Sequence, residues 1–362
     1  MTVVGARPQF IKTAALSREL ERVGIEEILV HTGQHYDDLM SDVFFRELEL
    51  REPTHNLGIG SGTHGEQTGR MLEALERVMM AERPDRVLVY GDTNSTVAAA
   101  ICAAKLGVPV DHIEAGVRSF DRDMPEEINR ILTDQVADQL YCPTRTAVAN
   151  LAAEGVCEGV HHVGDVMLDL ALSCRDSATR LPLPEGLSDG GYFVATIHRP
   201  SNTDDTARLD ELVAALDDVA RVVAPVILPA HPRLAARLAS HPKRGSKVQV
   251  SEPVGYLHMQ GLILHARGVI TDSGGLQKEA AFSGVRCITL RDSTEWPETL
   301  EGGLNVLLGD DLAALAHHAR SCTGRADASA RLLREFGGGN AAATIASMMN
   351  ESAGGRRRWR RR

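Results

Sequence analysis

Residues 86–100 read RVLVYGDTNSTVAAA, an apolar run followed by a polar turn that contains glycine and then by an alanine-rich segment. This order is typical of a buried parallel strand whose carboxyl end opens into a turn and a helix. Short apolar runs separated by amphipathic helical patterns recur along the chain, as expected of βαβ units. The sequence therefore predicts an α/β fold built on parallel sheets.

The predicted strands form two series, separated by the Pro- and Gly-rich segment LPLPEGLSDGG at 181–191. The first series comprises Thr2–Val4, Glu27–His31, Arg86–Tyr90, Val110–Glu114, Gln139–Cys142 and His161–Val163. The second comprises Tyr192–Ile197, Val226–Pro229, Val248–Ser251, Gly268–Thr271, Arg286–Leu290 and Asn305–Leu308. We therefore predict two Rossmann-like domains, residues 1–171 and 172–350, that face each other across a ligand-binding cleft.

Composition excludes several classes of partner. The chain has 49 acidic and 39 basic residues and a formal charge of −10, which disfavours nucleic acid or an anionic membrane as the main partner. Its six cysteines contain no C-x-x-C pair, so no zinc knuckle or disulfide framework is indicated and a reducing compartment fits best. The N-terminus lacks signal-peptide features and no apolar run is long enough to span a membrane. We expect a cytoplasmic protein without membrane insertion.

The C-terminal segment 351–362 is rich in arginine and ends in GGRRRWRRR. We expect a disordered tail there, because a run of like charges repels itself and has little apolar surface to bury. The alternative is an anchor for an anionic surface.

Carboxylates at strand ends are the candidates for acid–base chemistry. Asp92 in YGDTNST and Glu114 in HIEAGVRS each lie at or just beyond the carboxyl end of a predicted strand, and adjacent strands would direct them into one crevice. Like charges so close should separate the two pKa values and provide one acid and one base. Glu126 and Glu127 in MPEEINR offer a third group. Alternatively, Asp92 caps a helix, and Glu126 and Glu127 are favourable charges in a first helical turn.

Two turns carry cationic groups that suit a phosphate. GARPQFIK at 5–12 places Arg7 and Lys12 beside the start of a helix, where backbone N–H groups and two cations can hold a diphosphate. The alternative is a pair of ordinary surface cations. TIHRPSN places His198 after the first strand of the second series, where it can stabilise or protonate a leaving phosphate.

The third turn, TDSGGLQKEA at 271–280, contains consecutive glycines between a strand and a helix. The N–H groups of Gly274 and Gly275 can approach phosphate oxygens closely, and the Ser273 hydroxyl adds a donor. Glu279, one turn into the helix, can reach ribose hydroxyls. The alternative is a tight turn with a capping serine.

Neither a metal nor a nicotinamide cofactor is expected. No carboxylate or cysteine accompanies the histidine pairs in a ligand pattern. Those pairs are His31 with His35, His161 with His162, and His317 with His318. GSGTHG at 60–65 matches G-x-G-x-x-G formally, yet no strong apolar strand precedes it and no acidic residue follows at the appropriate distance.

Taken together, the ordered motifs resemble the non-hydrolysing UDP-N-acetylglucosamine 2-epimerase family. The resemblance extends from Val4 to about Asn350. It is carried by GARPQFIK, HTGQHYD, YGDTNST, HIEAGVRS, MPEEINR, TIHRP, TDSGGLQKEA and RDSTEWPE. The resemblance implies the architecture of the GT-B glycosyltransferases, with the last helix crossing back onto the first domain, and a homodimer without a cofactor.

The resemblance also implies roles for individual residues in binding a UDP-sugar. The diphosphate would be held by Arg7, Lys12, His198, Ser273, Gly274 and Gly275. Glu279 would bind the ribose, and Asp92, Glu114 and Glu126 would surround the sugar. Tyr256 and Met259 would cradle the uracil, with Val254 also among the substrate-binding residues.

The implied reaction interconverts UDP-N-acetylglucosamine and UDP-N-acetylmannosamine by elimination of UDP to a glycal and re-addition. Two departures from the family pattern bear on the substrate: Ser201 stands where Glu is common, and Trp296 stands where Arg is usual. In having Trp at this position, the chain resembles relatives that act on UDP-2,3-diacetamido-glucuronic acid.

HTGQHYDD departs from the Q-H-R region that lines a second, allosteric nucleotide site in some members. A GT-B glycosyltransferase and a non-catalytic UDP-sugar sensor remain alternatives.

Overall fold

The computed structural model of the chain describes residues 1–34, 47–240, 247–323 and 330–352. The chain splits into two compact units. The first comprises Met1–Leu172 together with the C-terminal segment that begins at Arg334, and the second comprises Ser173–Leu333. The predictions made for His35, for most of HTGQHYDD and for the tail from residue 353 onward lie outside the described residues.

The described part of the first unit is built on a seven-stranded parallel sheet of order β3-β2-β1-β4-β5-β6-β7. Its strands are β1 (Thr2–Val4), β2 (Leu29–His31), β3 (His55–Asn56), β4 (Val87–Tyr90), β5 (Val110–Ile113), β6 (Gln139–Cys142) and β7 (Val160–His162). Its helices are α1 (Arg7–Arg22), α2 (His64–Glu82), α3 (Asn94–Leu106), α4 (Pro125–Val136), α5 (Arg145–Ala153) and α6 (Val166–Thr179, which runs into the second unit). The first six positions follow the doubly wound strand order of Rossmann folds.

Successive side chains of each strand point to opposite faces of this sheet, and helices cover both faces. Val87 and Val89 point into a core shared with α2 and α3, whereas Leu88 and Tyr90 point into a second core shared with α1. All four side chains are buried, as expected of a parallel strand that packs against helices on both sides.

The second unit repeats the plan with a six-stranded parallel sheet of order β10-β9-β8-β11-β12-β13 among its described residues. Its strands are β8 (Phe193–Thr196), β9 (Val226–Pro229), β10 (Val248–Ser251), β11 (Gly268–Thr271), β12 (Cys287–Thr289) and β13 (Asn305–Leu307). Its helices are α7 (Pro200–Thr203), α8 (Thr206–Val222), α9 (Pro232–Ser240), α10 (Tyr256–Leu264), α11 (Gly274–Phe282), α12 (Leu315–Ser321) and α13 (Ala330–Glu335, which runs into the first unit). Separate apolar cores lie on the two faces of the sheet.

The last described helix, α14 (Ala341–Ser352), belongs to the first unit and packs against α1. Ile345 and Met349 join the core that contains Phe10 of α1. Oδ2 of Asp169 on α6 accepts a hydrogen bond of 2.6 Å from the N–H of Ala342 and so fixes the start of α14. Burial raises the pKa of Asp169 to about 6.

The α/β class and the two Rossmann-like sheets are confirmed. The prediction missed β3, because His55 and Asn56 form a two-residue polar edge strand without an apolar run. Helix α11 begins at Gly274, two residues before the predicted start at Leu276, because Ser273 caps it. Among the described residues, no helix is both long and apolar enough to cross a membrane.

Candidate active site

In the first unit, the candidate site lies at the carboxyl ends of β1, β4 and β5. Nζ of Lys12 lies 2.6 Å from Oε1 of Glu114, and the two side chains are only 6% and 11% exposed. Gly91 lies directly beneath this pair with φ +61°, and a Cβ there would come within 3.1 Å of Nζ of Lys12 and 3.3 Å of Oε1 of Glu114. A side chain at position 91 would therefore disturb the ion pair.

Asp92 is bound to a cation of its own. Its Oδ2 lies 2.5 Å from Nη2 of Arg130 on α4, and its side chain is 26% exposed. The Asp92 carbonyl accepts a hydrogen bond of 2.9 Å from Nδ2 of Asn129. Strands β4 and β5 are neighbours, so Asp92 and Glu114 follow adjacent strands as predicted, but the structure pairs each carboxylate with a cation. Sequence analysis missed Arg130, although its position four residues after Glu126 on a helix was an available indication.

The adjacent residues Glu126 and Glu127 have different environments. Glu126 is exposed, whereas Glu127 is 1% exposed. Glu127 accepts hydrogen bonds from the N–H groups of Ser119 and Phe120, each 2.9 Å long, and pairs with Arg130 at 2.8 Å. Burial opposes ionisation of Glu127, but these donors outweigh it and hold its pKa below the ordinary value. Glu127 therefore anchors the loop before α4, while Glu126 is open to solvent.

The backbone of Glu114 is held in an uncommon conformation, with φ +72°. Positive φ costs a residue with a Cβ on the order of 1 kcal/mol or more, and it concentrates at functional sites. The carbonyl of Tyr141 accepts hydrogen bonds of 3.1 Å from the N–H groups of both Glu114 and Ala115. These two bonds hold the turn that presents the Glu114 carboxylate.

The turn before α1 differs from the predicted diphosphate site. Oε1 of Gln9 accepts hydrogen bonds from the N–H groups of Gly5 and Ala6, at 2.8 and 3.0 Å. Nε2 of Gln9 donates to the carbonyl of Tyr90 and to Oγ1 of Thr96, at 2.9 and 3.0 Å. Gln9 thus connects this turn to the end of β4 and occupies backbone donors that the prediction offered to phosphate. Arg7, two residues after Gly5, is half-buried.

In the second unit, the turn between β11 and α11 leaves backbone donors open. Ser273 caps α11, with its Oγ accepting a 3.3 Å hydrogen bond from the N–H of Leu276. Within the described residues, no acceptor is bonded to the N–H of Gly274 or Gly275, the first two of the helix. A helix N-terminus with open N–H groups favours an anion. Glu279 lies one turn further along and is 4% exposed.

His198 is oriented by a buried carboxylate that sequence analysis overlooked. Nδ1 of His198 lies 2.6 Å from Oδ1 of Asp272, which is fully buried, while the His198 side chain is 56% exposed. Asp272 also accepts hydrogen bonds from the N–H of Arg199 at 3.0 Å and from Nδ2 of Asn202 at 3.1 Å. Burial alone would raise the pKa of Asp272, but His198 and these donors lower it to about 2. Its position before Ser273, at a strand end, was the missed indication.

The predicted uracil-binding residues lie on and just before α10. Tyr256 is 2% exposed and Met259 is 7% exposed. Met259 belongs to the core that contains Leu276 of α11, and Val254 packs against the same core. Met259 and Val254 therefore also contribute to the apolar core of the second unit.

Trp296 is 5% exposed and lies beside the start of α11. Nζ of Lys278 is 3.6 Å from the centre of the Trp296 ring, a cation–π distance, and a Cβ on Gly274 would lie 3.6 Å from Nε1 of Trp296. Next to it, Arg291 and Glu295 form a bidentate ion pair with two contacts of 2.8 Å. Trp296 therefore borders the candidate phosphate site as a packed residue. Ser201, the other departure, is exposed on α7.

Gly60 and Gly62 of GSGTHG lie between the short edge strand β3 and α2, and Gly65 is the second residue of α2, which begins at His64. The N–H of Gly60 donates to the carbonyl of Gly33 at 3.0 Å, and the Gly60 carbonyl accepts from Nε2 of Gln67 at 2.7 Å. Both the N–H and the carbonyl of Gly60 are therefore already hydrogen-bonded within the protein. Among the described residues, no group of three or more His, Cys, Asp or Glu side chains could hold a metal ion.

Residues 18–350 match the family model for UDP-N-acetylglucosamine 2-epimerase. The chain is 49% identical over 356 residues to UDP-2,3-diacetamido-2,3-dideoxy-D-glucuronate 2-epimerase of Pseudomonas aeruginosa, covering 96% of this chain and 98% of that protein. It is 43% identical over 321 residues to UDP-N-acetylglucosamine 2-epimerase of Methanocaldococcus jannaschii, covering 85% of this chain and 88% of that protein.

Among solved structures, the chain is similar to the Methanocaldococcus jannaschii UDP-GlcNAc 2-epimerase in complex with UDP-GlcNAc and UDP. The TM-score is 0.88 and the sequence identity is 40%, and the match covers 97% of this chain and 99% of that chain. The two doubly wound sheets described above are thus those of a GT-B-like α/β fold.

Proposed function

Because the chain belongs to the UDP-N-acetylglucosamine 2-epimerase family, we propose that it inverts carbon 2 of a UDP-activated 2-acetamido sugar by eliminating UDP and adding it back. The observation that carries this proposal is the pair of carboxylates Asp92 and Glu114, which follow neighbouring strands and are each bound to a cation. Acid–base chemistry on the two faces of one carbon needs two such groups.

Elimination is the accessible route, because the C2 hydrogen is not adjacent to a carbonyl and is poorly acidic. A carboxylate removes the C2 proton, the C–H electrons form the C1–C2 double bond of a glycal, and UDP leaves with the C1–O electrons. Protonation of C2 from the opposite face and attack of UDP on C1 complete the inversion. We assign Asp92, Glu114 and Glu126 to this proton transfer.

We assign the UDP to groups of the second unit. The open N–H groups of Gly274 and Gly275 suit phosphate oxygens, with Ser273 beside them. Because Nδ1 of His198 faces Asp272, its Nε2 is the nitrogen directed to a ligand, and it can donate to the departing diphosphate. Glu279 would bind the ribose, and Val254, Tyr256 and Met259 would surround the uracil.

From the first unit, Lys12 and Arg7 would supply positive charge to the diphosphate. Lys12 is 5% exposed and already bound to Glu114, so its ammonium can stabilise both the carboxylate and developing negative charge on the leaving group. Arg7, at the start of α1, is the more accessible of the two cations.

UDP-N-acetylglucosamine is our first candidate substrate, with UDP-N-acetylmannosamine as its epimer. UDP-2,3-diacetamido-2,3-dideoxy-D-glucuronate is the second, favoured by the 49% identity to the Pseudomonas enzyme and by Trp296. Because Trp296 is buried against Lys278, it would act on substrate choice by shaping the start of α11.

A homodimer in a reducing cytoplasm completes the proposal. Phe120, Ile128 and Leu132, on α4 and the loop before it, are 76%, 40% and 45% exposed, and a second copy is the partner we propose for them. Light scattering of the purified chain would measure the dimer, and a monomer at assay concentration would contradict it.

The experiment that tests the reaction is NMR of the purified chain with each UDP-sugar in deuterium oxide, without any acceptor. Formation of the C2 epimer with deuterium at C2 is the expected result. A glycosyltransferase or a non-catalytic sensor would leave the C2 hydrogen of both sugars in place, and that outcome would overturn the proposed function.

A further inference from the structure

A buried histidine and aspartate lie beneath the two turns that carry Asp92 and Glu114. His112 is on β5, two residues before Glu114, and Asp134 is on α4. Nδ1 of His112 is 2.6 Å from Oδ1 of Asp134, and both side chains are fully buried. The proposed proton transfer uses neither residue.

Each member of the pair holds a different turn. Nε2 of His112 is 2.8 Å from the carbonyl oxygen of Gly91, the residue immediately before Asp92. Oδ2 of Asp134 accepts a 3.1 Å hydrogen bond from the N–H of Gly116, two residues after Glu114. The chain Gly91–His112–Asp134–Gly116 therefore connects the backbones of the two turns by three hydrogen bonds.

The hydrogen-bond chemistry fixes the orientation of the ring. A carbonyl oxygen only accepts, so Nε2 of His112 donates to Gly91, and the ring satisfies both neighbours when Nδ1 donates to Asp134 as well. Burial alone would raise the pKa of Asp134, but His112 and Arg118 reverse this and lower it. Nη1 of Arg118 lies 2.7 Å from Oδ2 of Asp134, and Arg118 also pairs with Glu154 at 2.7 Å. The Arg118 guanidinium thus lies between the carboxylates of Asp134 and Glu154 and compensates their negative charge.

We propose that the His112–Asp134 pair is a positioning element that sets the Asp92 turn against the Glu114 turn, so that the two carboxylates act on the same carbon. The inference rests on the proposed function. Catalytic groups displaced by about 1 Å can lose on the order of a hundredfold in rate, so a buried link between their turns is expected to affect turnover strongly.

The test compares His112→Phe, which removes both hydrogen bonds and keeps a ring, with His112→Gln, whose Nε2 can still donate to Gly91. The probe is the UDP-sugar that the wild-type chain epimerises in deuterium oxide. We expect His112→Phe to lower kcat by about ten- to a hundredfold while the Kd for UDP stays within about twofold, because the partners of His112, Gly91 and Asp134, are not among the residues assigned to UDP. His112→Gln should recover part of kcat.

A second readout separates positioning from loss of folded protein. Deuteration of the glycal on one face gives the epimer, and deuteration on the other face gives back labelled substrate. The ratio of deuterated epimer to deuterated substrate in initial-rate samples therefore reports how the two carboxylates are placed. Less active enzyme does not change that ratio. We expect both His112 variants to shift it, by about threefold or more for His112→Phe.

The matched control is His55→Phe, in the same sheet on β3. Nε2 of His55 is 2.8 Å from Oε1 of Glu82, outside the Gly91–His112–Asp134–Gly116 chain, and its variant should keep both kcat and the ratio. If the wild-type chain epimerises the sugar, an unchanged kcat in His112→Phe or an unchanged ratio in either His112 variant would overturn the inference. A wild-type chain without epimerisation would instead overturn the proposed function, and this inference with it.

Discussion

Nζ of Lys12 lies 2.6 Å from Oε1 of Glu114, and these residues are 102 positions apart in the chain. The contact joins the first turns of α1 to the end of β5, with Gly91 beneath it. This nearly buried ion pair holds α1 against the end of β5 and places an ammonium beside the carboxylate to which we assign proton transfer.

We predict that Lys12→Met destabilises the chain by about 3 kcal/mol, because it leaves the Glu114 carboxylate buried without its ammonium partner. Lys12→Met combined with Glu114→Gln should be less destabilised than the sum of the two single changes. Urea unfolding of the four proteins measures the coupling. Additive effects would show that the two side chains do not stabilise each other.

Glu126 and Glu127 form a natural matched pair for a second prediction. Glu126→Gln should lower turnover by about a hundredfold with stability unchanged within about 0.5 kcal/mol, because the side chain is exposed and is proposed to transfer a proton. Glu127→Gln should cost about 1–3 kcal/mol of stability, because it places an amide N–H group against the donors of Ser119 and Phe120. Initial rates and urea unfolding measure both. The reverse assignment of the two effects would contradict the proposed roles.

Much of the fold was predictable, because buried strands carry their own apolar pattern. β9, β10 and β11 have the predicted bounds: β9 and β11 are short runs of mostly apolar residues, and β10 alternates valine with polar residues. The two-residue strand β3 was not predictable, because pairing with β2 and not an apolar run defines it.

For the candidate site, the carboxylates were easier to anticipate than their partners. Asp92 and Glu114 follow recognisable strands, and neighbouring strands bring their ends together. Arg130 reaches Asp92 from 38 positions away, and Asp272 reaches the N–H of His198 from 74 positions away. The local sequence marks Arg130 and Asp272 as candidates, but their partners depend on how helices and turns pack. The positive φ of Glu114 likewise follows from the fold.

The pKa of Asp272 leads to a third prediction, about acid stability. A carboxyl whose pKa is about 2 in the folded chain and about 3.9 when unfolded stabilises the fold above pH 4 and loses this contribution as the pH falls through 2. Asp272→Asn should therefore cost on the order of 2 kcal/mol at pH 7, and the difference from wild type should shrink between about pH 4 and pH 2.

The matched control for Asp272 is Asp189→Asn, which removes an exposed partner of a histidine. Oδ1 of Asp189 is 2.9 Å from Nδ1 of His265, but the Asp189 side chain is 71% exposed. Its loss should change stability by less than about 1 kcal/mol. Chemical unfolding at several pH values measures both variants, and equal effects would rule out a special contribution from the buried pair.

The last prediction separates elimination from oxidation as the way carbon 2 is inverted. Elimination breaks both the C2–H and the C1–O bonds, so the product should carry solvent deuterium at C2. An ¹⁸O label placed in the oxygen that bridges C1 and the diphosphate should also move to non-bridging positions, because the β-phosphoryl group can turn between departure and return. Reversible oxidation at a neighbouring carbon would leave the C1–O bond intact and the label in place. The reaction should proceed without added nicotinamide and after treatment with a chelator, since carboxylates, a histidine, two cationic side chains and helix N–H groups carry every proposed step. Epimerised product that keeps its original C2 hydrogen, or activity that disappears when bound nicotinamide is stripped, would rule out elimination.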